Sequence, residues 1–122
     1  MTVEIKDVWG TEVGTLCETY NRAITERDVD LQVDVTRQLV DLAKQRDWRV
    51  ALRSAQALEK IARVNPTPLK TLVPAILEAH ETGAFQDKGA RDTIIIALRW
   101  VFPSIDPKAS TTDIISAIKQ AL

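Results

Sequence analysis

DWRVALRSAQALEKIARV, residues 47–64, decides how the rest of the chain is read. Val50, Leu52, Ala55, Leu58, Ile61 and Ala62 recur at helical spacing, so one face of this stretch packs inward. The other side carries Arg49, Arg53, Gln56, Lys60 and Arg63, which stacks four cations along a single flank. Asp47 precedes the first periodic residue, where its carboxylate can cap the helix. DKGARDTIIIALRWV, residues 87–101, repeats the layout forty residues on.

Outward from this helix the same period continues in both directions. Residues 1–8 have no period and read as an N-terminal tail, leaving 9–122 as one domain. Trp9, Val13, Leu16, Cys17, Tyr20 and Ile24 form a first amphipathic face, weakened at its start by Gly10 and Gly14. Asp28 or Asp30 then caps a second helix whose face is Leu31, Val35, Leu39, Leu42 and Ala43. The central helix stops at Asn65-Pro66, because proline cannot continue it. Thr67-Pro68 starts a fourth, with Leu69, Leu72, Val73, Ile76, Leu77 and His80 on one face, a bend at Pro74 and a stop at Gly83. The fifth, Lys88 to Phe102, turns Ile94, Ile95, Ala97, Leu98, Val101 and Phe102 inward but carries Ile96 and Trp100 on another side. The last helix is capped by Ser110 or Thr111 and turns Ile114, Ile115, Ile118, Ala121 and Leu122 inward. No segment reads as strand. The expectation is all-α, with about six antiparallel helices.

The stretch Thr67 to Val101 resembles a HEAT repeat. LKTLVPAILEAH is similar to the leading helix of that family, internal proline included, and DKGARDTIIIALRWV to its trailing helix through Asp87, Arg91 and the Ala97-Leu98 pair. Residues 30–64 resemble it more loosely through Asp47, Val50, Ala55, Ala57 and Leu58, with Ala51 where the family places an arginine. The resemblance implies an α–α superhelix of stacked hairpins, capped by half-repeats at 9–25 and 111–122. Its trailing helices, the third and fifth, would line a concave surface. A compact six-helix bundle is the alternative for the same helices.

Composition bounds the function. A net charge of −1 argues against a general nucleic-acid coat, yet the charge is unevenly spread: residues 1–43 carry nine acidic and four basic side chains, residues 44–63 two and six. Cys17 is the sole cysteine and His80 the sole histidine. Intramolecular disulfides and multi-histidine metal sites are therefore excluded, and both side chains lie on apolar faces that suit packing. The four glycines are scattered, so no phosphate loop exists, and no cofactor or metal is expected. The start of the sequence lacks the blocks of a secretion signal, and no apolar run approaches the ~20 residues of a membrane span. These readings point to a cytoplasmic, non-enzymatic protein, with no catalytic residue and no membrane contact.

The basic flank is the feature with chemical content. Arg49, Arg53, Lys60 and Arg63 can be joined by Lys88, Arg91 and Arg99 if the third and fifth helices lie side by side. Such a face suits an acidic protein surface or peptide, as in an adaptor or scaffold; a nucleic-acid backbone is the alternative. A plainer role is solvation, with Glu59–Arg63, Asp87–Arg91 and Lys88–Asp92 pairs one helical turn apart. Ile96 and Trp100 form a second candidate face, covered by the last helix or by a second copy in a homodimer. Trp48, at a helix start, is expected to plug the end of the core.

Overall fold

The computed structural model describes residues 12–122, so the tail at 1–8 and the start of the first helix around Trp9, Gly10 and Thr11 lie outside the described residues. Among those described there is no strand, and seven helices follow one another: α1 (Glu12–Thr25), α2 (Val29–Leu42), α3 (Trp48–Val64), α4 (Thr67–Lys70), α5 (Val73–Glu81), α6 (Lys88–Val101) and α7 (Thr111–Ala121). The all-α expectation holds; the count of six does not. Pro74 does not bend a continuous fourth helix but stands near the start of α5, after a turn at Thr71-Leu72 that separates it from α4. Proline lacks the N–H that a continuous helix needs there, and the first turn tolerates that loss. Likewise Thr67 does not cap α4. The cap is Pro66, and the Thr67 amide donates to Asn65 Oδ1 at 3.3 Å.

Four helix starts are closed by side chains. Asp28 accepts from the Leu31 amide (3.0 Å), Asp47 from Arg49 (3.0 Å), Asp87 from Ala90 (2.9 Å) and Ser110 from Asp113 (3.2 Å). Each satisfies a donor that the first turn would leave unpaired.

α3 and α6 form the most extensively packed pair of elements. They run parallel. At their N-terminal ends, a Cβ added to Gly89 would lie 3.7 Å from Leu52 Cδ1; at their C-terminal ends, Trp100 Nε1 donates to Glu59 Oε1 at 3.2 Å. α2 lies against both α1 and α3 and also touches α4, while α7 packs on α6.

The buried face of α3 is Ala51, Ser54, Ala55, Ala57, Leu58, Ile61 and Ala62, which differs from the expected register. Val50 and Leu52, expected inward, are only half-buried. Small residues take the inner positions because the parallel neighbour must approach closely, and α6 answers with Ala90 and Ala97 beside Ile94, Ile95 and Leu98. Ser54 is accommodated by donating its hydroxyl to the Val50 carbonyl at 2.8 Å. Val101, Phe102 and Ile115 are half-buried, and Leu122 is exposed rather than inward. Cys17 is buried as expected, and His80 is half-buried.

Candidate functional site

The parallel pairing of α3 with α6 determines what the basic flank can present. On α3, Leu52, Gln56, Glu59 and Arg63 lie one above another at steps of four, three and four; on α6, Gly89, Thr93, Ile96 and Trp100 do the same. These two rows meet along the outer edge of the helix pair, as the Leu52–Gly89 and Glu59–Trp100 approaches require.

The cations divide into two groups. Arg63 forms an ion pair with Glu59 and lies over the Trp100 ring, its guanidinium carbon 5.6 Å from the centroid. Arg99 approaches the same ring at 5.0 Å and donates to the Pro107 carbonyl, tying α6 to the loop before α7. Trp100 thus brings Arg63 and Arg99 together, and both already have partners within the protein, Arg63 with its side chain still 58% exposed. Glu59 is the hub of this cluster: only 15% exposed, it accepts from both the Trp100 indole and Arg63 through one oxygen. A cation paired with a carboxylate and seated on an aromatic face has less charge to offer a partner.

The remaining cations of α3 are not seated on Trp100. Lys60 is exposed, and Arg53, half-buried, donates to Gln56 at 3.4 Å. Arg49 is exposed and lies over the Trp48 ring at 5.9 Å. From Arg49 to Lys60 is about 16 Å along the axis at the usual rise per residue. On α6, Lys88 pairs with Asp92 at 3.2 Å, as the spacing predicts, whereas Asp87 caps Ala90 instead of reaching for Arg91.

Trp48 and Trp100 both depart from expectation. Trp48 does not plug the core; it is 56% exposed at the α2–α3 turn. A bulky side chain at the first helical position has no neighbouring turn to cover it. Trp100 is half-buried and meets Glu59 and Arg63 of α3, a contact with a neighbouring helix that was not expected for it. Ile96 stays 37% exposed.

Sequence reasoning named Glu59 only as the partner of Arg63, a pairing the structure bears out, and missed its hydrogen bond with Trp100. Trp100 stands 41 positions away, close to the forty-residue offset between the two similar stretches, and that offset is the signal that would have found it.

Elsewhere the described residues hold no group of three or more His, Cys, Asp or Glu placed to bind a metal ion. A cavity of about 490 Å³ beside α7 is lined by Phe102, Ile105, Ala109, Ala117 and Ala121 together with Asp106, Lys108 and Asp113. A second, of about 380 Å³, is lined by Glu12, Leu42, Gln45 and Val50. No helix among the described residues is long and apolar enough to cross a membrane. Comparison with protein-family models, curated proteins and solved structures finds no match to this chain.

Proposed function

We propose that this protein is a non-enzymatic interaction module of HEAT-like build that presents the outer edge of α3, with its neighbour α6, to an acidic surface or peptide of another protein. The observation that carries the reading is the row of Arg49, Arg53 and Lys60 along one flank of α3, Arg49 and Lys60 exposed and Arg53 half-buried, while Glu59, the one carboxylate within α3, is held by Arg63 and Trp100. Exposed like charges on one helix repel, and exposed ion pairs return only ~0–1 kcal/mol each, so folding gains little from the row. The parallel α3–α6 pair and the contact of α2 with α4 support a stacked-hairpin arrangement. A reducing, cytoplasmic setting suits the buried lone thiol of Cys17.

Nucleic acid ranks below a protein partner, because the chain is near neutral and its first 43 residues are acidic. The test is binding of a fluorescent polyglutamate and of a DNA oligonucleotide of equal charge, followed by anisotropy at several salt concentrations. Polyglutamate binding is expected to weaken as salt rises past ~0.15 M, where exposed charges are screened over ~8 Å. The double reversal Arg53→Glu, Lys60→Glu should abolish it while circular dichroism stays helical. Normal binding by that variant overturns the reading; capture of the oligonucleotide alone transfers it to nucleic acid.

A further inference from the structure

We infer that residues 1–11 of this chain are the occupant of the hollow where the start of α1, the end of α2 and the start of α3 come together, and that by docking there they compete with an acidic partner for the near end of the basic flank. The competition rests on the acidic-partner reading; the docking does not. The hollow is the cavity of about 380 Å³: among the described residues Glu12 opens α1, Leu42 closes α2, Gln45 stands in the turn that follows and Val50 in the first turn of α3. Leu42 and Val50 are only half-buried there. Between Gln45 and Val50 in the sequence stand Arg46, Trp48 and Arg49, all exposed, with the Arg49 guanidinium over the Trp48 ring. Apolar surface and two cations thus share one end of the molecule.

The chain itself enters at this point. Residue 11 is bonded to Glu12, on the wall of the hollow, so the segment before it is tethered beside the surface it has to cover. Its sequence, MTVEIKDVWGT, combines Val3, Ile5, Val8 and Trp9 with Glu4 and Asp7 and a single cation, Lys6. Apolar and acidic side chains in one short segment match an apolar hollow edged by Arg46 and Arg49. Trp9 stands four residues before Val13 and eight before Cys17, both buried in α1, so it has the spacing of the row that faces the core. An indole withdraws about 150–250 Å² from water when it packs. Fully extended, eleven residues reach up to about 36 Å, which leaves Glu4 and Asp7 ample length to meet the two arginines. A tethered segment of this kind acts at an effective concentration on the order of 1 mM, enough to compete with a weakly held acidic peptide.

The test uses the full chain with a nitroxide attached at Lys6→Cys; Cys17 is fully buried and does not take the label. The amide signals of Gln45, Trp48 and Val50 in the nuclear magnetic resonance spectrum should broaden, and Trp9→Ser, or the milder Val8→Ser, should sharpen them again. Sharp signals in the labelled chain, or broadening that neither variant relieves, overturn the docking. In a mixture of nitroxide-bearing chains with isotope-labelled chains free of nitroxide the signals should stay sharp; broadening there assigns the hollow to a second copy and overturns docking in cis. Neither serine variant changes the charge, so release of the segment should raise the affinity for fluorescent polyglutamate by about threefold, the factor for a face covered two-thirds of the time. Unchanged affinity in a chain that shows the docking overturns the competition. Absence of polyglutamate binding by all forms, at low salt as well, overturns the acidic-partner reading together with the competition and leaves the docking standing.

Discussion

Tyr20 ends in a fully buried hydroxyl without a hydrogen-bond partner among the described residues. Removing such a group from water without a replacement bond is unfavourable by about 1–3 kcal/mol, and burial pushes its ionisation up to about 12. The unfolded chain releases the same proton near pH 10. Between those values the unfolded state binds fewer protons than the folded one, so stability must fall as pH rises through the window, by up to about 3 kcal/mol. Tyr20→Phe should raise stability at neutral pH by about 1 kcal/mol and flatten the alkaline limb of a denaturation series run from pH 9 to 12. Tyr20 is the only tyrosine, so tyrosinate absorbance reports its ionisation directly. A midpoint near 10 in the folded protein would contradict the burial.

At the scale of elements, two helices end in the same way with different residues. α1 closes with Asp28 N–H donating to the Ala23 carbonyl (2.9 Å) around Arg27 at φ 56°; α5 closes with Ala84 N–H donating to Ala79 (2.9 Å) around Gly83 at φ 76°. This left-handed stop suits glycine and strains a residue that carries a Cβ. Arg27→Gly should therefore stabilise the protein, by about 0.5–1 kcal/mol once the greater freedom of glycine in the unfolded chain is allowed for. A lowered thermal midpoint would count against the assigned turn. The same scale separates what the sequence makes legible from what it hides. Asp28, Asp47 and Ser110 announce their helices, because a cap is a local signal read within three residues. The division of α4 from α5 is less legible, since Pro74 is compatible with a bend as well as with a new start. The register of α3 is hidden for a different reason: hydropathy ranks Val50 and Leu52 above Ala51 and Ser54, but the inner face is chosen by how near α6 must come. At the candidate site the row of cations on α3 and the Glu59–Arg63 pair are legible, whereas the meeting of Arg63 and Glu59 with Trp100 is not, because it depends on side chains some forty residues apart.

The molecule as a whole is closed at one end by α7, which contributes Ile114 and Ile118 to the core and is joined to α5 by an ion pair between Lys119 and Glu81. The hydrogen bond and charge of Lys119 hold the Glu81 carboxyl below the usual carboxylate range. The pair is surface-exposed, so the two isoleucines account for most of the attachment. A chain ending before Ser110 should lose about 3–6 kcal/mol, from two buried isoleucines at about 1.5–3 kcal/mol each. Urea unfolding followed by circular dichroism measures this. An unchanged midpoint would mean that α7 is not part of the cooperative unit.

The parallel course of α3 and α6 also aligns their backbone dipoles, so like ends lie side by side instead of cancelling. Two partial positive charges of about half a unit meet at the N-terminal ends and two partial negative ones at the C-terminal ends. Each pole has its counter-charge. Asp47 and Asp87 sit at the positive ends, and Arg63 and Arg99, in the last turns, at the negative ones. The two arginines drawn onto Trp100 thus neutralise a field that the pairing itself creates, and they do so whether or not anything ever binds to the flank above them.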